Sequence, residues 1–94
     1  MSTNLAATQG GAIRTLQRGV IRLNSGSLTN TATLSPALAD TTKTELRFLG
    51  CSMNTNDSSF LAYPTLTNTT TVTATRQNSS GFITDVAWEI TERY

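Results

Sequence analysis

The run Phe82-Ile-Thr-Asp-Val-Ala-Trp-Glu-Ile-Thr-Glu-Arg-Tyr94 puts Phe82, Val86, Trp88, Ile90 and Tyr94 on even positions and Asp85, Glu89, Thr91 and Arg93 on odd ones. Period-two alternation sustained over thirteen residues specifies a long, half-buried β-strand, and no helix satisfies it. The run before it, Leu66 to Arg76, sets Val72 and Ala74 between Thr69, Thr71, Thr73 and Thr75, so it also offers one face to a core and one to water. Joined by the polar turn Gln77-Asn-Ser-Ser-Gly81, the two runs read as a β-hairpin. Burying Phe82, Val86, Trp88 and Ile90 contributes roughly 1.5–3 kcal/mol each, which makes this pair the expected centre of the core.

The rest of the chain repeats the pattern. Ala12 to Leu23 reads as a strand with Ile13, Thr15, Ile21 and Leu23 on one face and Leu16 and Val20 on the other, and Gly19 marks an expected bulge. A turn at Asn24-Ser-Gly-Ser27 leads to Leu28–Leu34, giving a second expected hairpin. A crossing over 35–43, with Pro36 near its start, precedes Glu45–Met53, in which Leu46 and Phe48 fall on one side and Leu49, Cys51 and Met53 on the other. Ser59–Tyr63 is a short strand closed by Pro64. Six strands separated by turns predict an all-β chain, a small antiparallel β-sandwich or barrel over 12–94, preceded by a flexible arm over 1–11.

Composition narrows the function more by exclusion than by indication. Charged residues make up 14% of the 94 and the net charge is +1, against a usual charged share of about 25%. No cluster of Lys and Arg is present to meet nucleic acid. Cys51 is the single cysteine and histidine is absent, so neither an intrachain disulfide nor a Cys/His zinc site is available, and no cofactor is expected. Met1 to Gly11 has no basic start and no apolar run, which fits neither a signal peptide nor a membrane span.

Candidate chemistry is correspondingly thin. Cys51 lacks a histidine base and alternates with Leu49 and Met53, as a small buried hydrophobe does. Asp85 and Glu89 share a strand face about 13 Å apart, beyond the reach of a catalytic carboxylate pair. Asn54, Asn56 and Asp57 lack the spaced carboxylates of a calcium loop and read as turn formers. Arg14, Arg18 and Arg22 recur every four residues on one face, a basic stripe open to an acidic partner, with solvated charge as the ordinary alternative. The Thr-x-Thr ladder from Thr69 to Thr75 resembles those of ice-binding proteins, but one strand of it reads as ordinary solvent-facing sheet. Non-enzymatic function is the expectation.

The segments Leu16-Gln-Arg-Gly-Val-Ile-Arg-Leu23, Thr29–Leu34, Lys43–Leu49, Leu66–Arg76 and Val86-Ala-Trp-Glu-Ile-Thr-Glu-Arg-Tyr94 together resemble a family of small Thr-rich virion proteins of tailed bacteriophages. The likeness spans 13–94 and implies a structural component of the particle: a capsid decoration protein bound to the major capsid protein, assembled in the bacterial cytoplasm. The run Val72 to Trp88 is similar to the end of H-type lectins and of sugar-binding phage tail domains, and with Trp88, Tyr63 and Tyr94 in a sandwich-like frame it gives the rival expectation of a tail-fibre or receptor-binding module for host glycans. Because Glu45–Met53 is apolar on both sides, a homo-oligomer, trimer or dimer, is expected, with Leu49, Cys51 and Met53 at its interface or against the shell.

Overall fold

The computed structural model describes residues 12–94. The expected arm over 1–11 lies outside the described residues. Six strands form: β1 (Ile13–Leu23), β2 (Thr29–Thr33), β3 (Thr44–Met53), β4 (Ala62–Asn68), β5 (Thr71–Arg76) and β6 (Thr84–Arg93). They make two antiparallel three-stranded sheets in the orders β1-β6-β3 and β2-β5-β4. The all-β sandwich predicted from alternation is therefore the fold, and no described helix is long and apolar enough to cross a membrane.

The strand pairing departs from both expected hairpins. β5 and β6 lie in different sheets, as do β1 and β2, so the turns at 24–28 and 77–83 are corners that carry the chain from one layer to the other. These corners touch: Gly26, at φ +93, donates its N–H to the Ser79 carbonyl. The hairpin that does form, β4–β5, makes its turn inside the run Leu66–Arg76 that reads as one strand. Asn68 makes its turn, its Oδ1 accepting from the N–H of Thr70 at 2.9 Å, so Thr69 belongs to the turn and not to the ladder. Pro64 lies within β4, opposite Ala74, where an edge strand tolerates a residue without an N–H.

The core fills the gap between the layers. Ile21 and Leu23 of β1 and Val86, Trp88 and Ile90 of β6 meet Val72 and Ala74 of β5 and Ala62 of β4, with Leu34 and Leu38 closing one flank. Phe82 is not among them; it precedes β6, is 38% exposed, and packs edge-on against Phe60 at 5.1 Å. Gly19 is not a bulge but stands in register opposite Trp88 on the inner face. A Cβ there would lie 2.7 Å from Trp88 Cζ2, so the missing side chain is the space into which the indole packs.

Irregularities occur elsewhere. In β1 the register slips between Ile13 and Thr15, in β3 between Phe48 and Gly50, and in β4 between Leu66 and Asn68. The β3 slip leaves Leu49 without an opposite residue, and Gly50 adopts φ +131, a conformation that favours glycine. An extra residue reverses which parity points inward. Leu46 before the bulge and Cys51 after it therefore both pack on the core.

Candidate functional site

The bulge corrects the expected apolar face. Leu49, Cys51 and Met53 do not share a side: Cys51 and Met53 pair with inward-facing Val86 and Thr84 and are partly buried, while Leu49 is 50% exposed. Leu49 instead joins Val20, Ala87 and Asp85 around a shallow depression of about 440 Å³ on the outer face of β1-β6-β3. Leu16 and Val20 are exposed on the same outer face of β1.

Charge on this face is internally paired. Arg18 donates to Glu89, and Arg47 approaches the other oxygen of Glu89 at 3.6 Å, so one carboxylate on the central strand serves arginines from both edge strands. Arg22 grips Asp85 through two hydrogen bonds of 2.8 and 3.0 Å. Those bonds hold the Asp85 carboxyl below its usual range and raise the Arg22 guanidinium. Arg14 turns away to the buried Glu92 at 2.8 Å. All three residues of the predicted basic stripe thus have carboxylate partners on β6, and the register of β1 against β6 brings each pair together.

Among the described residues, the opposite outer face, on β2-β5-β4, carries no ionised side chain. Thr29, Thr31 and Thr33 lie beside Thr75, Thr73 and Thr71, and Tyr63 and Thr65 lie beside Thr75 and Thr73 from the other side; Thr67 falls where β4 slips register, its hydroxyl hydrogen-bonded with that of Thr73 at 2.5 Å. The one charged residue of these strands, Arg76, points inward.

Two buried polar residues sit towards opposite ends of the sandwich, and sequence reasoning passed over both. Arg76, 2% exposed, donates to the carbonyls of Ser27 and Asn24 and to Thr84 Oγ1, and its guanidinium lies 5.3 Å from the Phe60 ring centre. Burial lowers its pKa. It ties the two corner loops to β6. At the other end, Glu92 Oε2 accepts from the N–H groups of Ala39 and Asp40, each at 2.7 Å, and Oε1 from Arg14. Burial is the largest influence on Glu92 and pushes its pKa up, but the hydrogen bonds from Asp40, Arg14 and Ala39 outweigh it and hold the carboxyl below its ordinary value. Both residues had a visible signal: Arg76 is in phase with Val72 and Ala74, and Glu92 with Trp88 and Ile90.

Trp88 is 4% exposed and its Nε1 has no hydrogen-bond partner among the described residues, so the indole belongs to the core and offers no platform to a ligand. Tyr63 and Tyr94 are 54% and 64% exposed, but they stand towards opposite ends of β6, whose ten residues span about 33 Å. The Asn54–Asp57 loop behaves as a turn: Asn54 Oδ1 accepts from Ile83 N–H, and Asp57 caps the short 3-10 turn at Ser58–Phe60. No cluster of three metal-ligating side chains occurs among the described residues. Comparison with protein-family models, with curated proteins and with solved structures gave no match.

Proposed function

We propose that this chain is a non-enzymatic virion protein that binds the outer surface of a phage shell, with the outer face of β1-β6-β3 against the major capsid protein. The observation that carries the reading is the contrast between the two outer faces. One joins exposed Leu16, Val20 and Leu49 to arginines already matched by carboxylates, and the other is uncharged and hydroxyl-covered. Charges that are paired within one chain bring their partners with them when a surface is covered, so such a face leaves no lone ion to desolvate. The resemblance over 13–94 to small phage virion proteins supplies the setting.

Size argues for several copies acting together. Three strands about 4.8 Å apart and about 30 Å long present on the order of 400 Å², half of the roughly 800 Å² per partner of a stable interface. A homo-oligomer, trimer or dimer, multiplies that contact through avidity. The test is to add purified protein to undecorated shells and locate it by cryo-electron microscopy, with Leu16→Asp/Val20→Asp beside the parent. The parent should decorate the shell and the variant should not; density confined to the tail would refute the reading. The glycan-binding alternative retains only Tyr63 as an aromatic on a broad face and has no observation that favours it.

A further inference from the structure

We infer that β1 is a docking edge for a second copy of this chain, pairing antiparallel with its counterpart across a two-fold axis at Arg18 and joining two three-stranded sheets into one. Antiparallel strands point the backbone groups of alternate residues to opposite sides. The Arg22 carbonyl accepts from Asn30 Nδ2 of β2 at 2.9 Å, so it points off the edge of β1 that β6 does not occupy. Alternation puts the N–H and C=O groups of Leu16, Arg18 and Val20 on that same edge. Among the described residues, no hydrogen bond from outside the sheet reaches them.

The other three edges carry features that discourage pairing. β2 has five residues, β4 contains Pro64 and a register slip, and β3 carries the bulge at Leu49 and Gly50. From Thr15 to Leu23, by contrast, β1 runs in unbroken register with β6 and without a proline, over about 30 Å. The charges that would guard this edge lean away from it. Arg18 and Arg22 reach across to Glu89 and Asp85 on the central strand, leaving Leu16 at 47% and Val20 at 64% exposure along the rim.

An axis at Arg18 sets Leu16 of each copy opposite Val20 of the other, an apolar cross-strand pair made twice. Sliding the strands by two residues sets Leu16 opposite Arg18 instead. At the axis Arg18 meets Arg18, but each guanidinium brings the Glu89 carboxylate bonded to it, which offsets the repulsion. The facing backbone groups of these residues exchange about six hydrogen bonds. Pairing also completes the docking face, a step that rests on the virion reading: two outer faces of about 400 Å² joined edge to edge reach the roughly 800 Å² per partner of a stable interface. Leu49, on the far strand of each copy, stays exposed and open to association of pairs through their faces.

Sedimentation of the full chain up to millimolar concentration, with hydrogen exchange followed residue by residue, tests the pairing without any shell and so separately from the virion reading. The parent should pass from monomer to dimer. The amides of Leu16, Arg18 and Val20 should slow as the dimer forms, while those of Gly19 and Ile21, which alternation turns towards β6, are slow throughout. Val20→Pro removes one edge N–H and leaves the bonds to β6 in place, because proline is tolerated where its missing N–H would face outwards. It should stay folded by circular dichroism and lose the dimer, whereas Val20→Thr, which keeps the N–H and the branched side chain, should retain it. The exchange readout on the parent stands whether or not the proline variant folds. A parent that stays monomeric, a dimer that survives in folded Val20→Pro, or edge amides whose exchange does not change with concentration would each overturn the inference.

Discussion

Gly19→Ala is the sharpest test of how the two layers are held. The substitution adds one methyl group to the inner face of β1, 2.7 Å from Trp88 Cζ2, 3.0 Å from Cε2 and 3.2 Å from Nε1. The contact partners are atoms of a rigid ring that is itself 4% exposed, so neither side yields without displacing the core. Overpacking of this kind costs about 1–3 kcal/mol. Gly19 is not among the glycines with positive φ, so alanine gains about 0.4–1 kcal/mol from the reduced entropy of the unfolded chain. The net expectation is a loss of roughly 1–2 kcal/mol, or about 5–15 °C in Tm for a domain of this size. Urea and thermal melts followed by tryptophan fluorescence measure it. Trp88→Phe removes the atoms that clash, so the double variant should lose less than the sum of the two singles. A Gly19→Ala protein as stable as the parent, or strict additivity with Trp88→Phe, would refute the packing argument.

Arg76→Met should lose about 3 kcal/mol in urea unfolding, because three charge-assisted hydrogen bonds and the stacking on Phe60 disappear together while two corner carbonyls lose their donor. Glu92 and Asp85 have pKa values below their ordinary ones, so their contribution is complete above the unfolded carboxylate pKa of about 4 and is lost as pH falls through the lower folded values. Tm measured from pH 6 downward should therefore be level and then drop below about pH 4, and Glu92→Gln should lower the plateau and shallow the drop. Leu49→Asp should leave Tm within a degree or two while reducing any self-association seen by sedimentation, whereas Cys51→Asp, facing the core, should destabilise the fold outright.

How much of this fold was legible depends on whether the signal lay within one strand or between strands. Alternation within β6 and β5 correctly marked Val86, Trp88, Ile90, Val72 and Ala74 as the core. It could not say which strand pairs with which, because a polar turn such as Gln77–Gly81 serves a hairpin and a corner equally well. The hairpin reading therefore failed at both corners, which are held together by the carbonyls that Asn24 and Ser27 of the first supply to Arg76 at the start of the second and by the Gly26 N–H on the Ser79 carbonyl. The β3 bulge was hidden for a related reason. Parity counting assumes unbroken register, and Gly50 at φ +131 breaks it, so Cys51 and Met53 were assigned to the wrong side.

The faces were less legible than the core because each is assembled from strands distant in sequence. The arginine stripe on β1 was visible as spacing, but its carboxylates come from β6, some 60 to 80 residues later, and only the register shows that Arg18 meets Glu89 and Arg22 meets Asp85. The β1 bulge adds a further step. Unbroken register would carry Arg14 towards Arg93, a like-charge pair; the extra residue between Ile13 and Thr15 re-aims Arg14 at buried Glu92 instead. The same assembly turned one threonine ladder into an array, since Thr29–Thr33 and Thr65–Thr67 contribute only once β2 and β4 are placed beside β5. What the chain encodes strand by strand is a parity; what it presents to a partner is a surface, and the step from one to the other is made by register, which three register slips and four changes of sheet reset along the way.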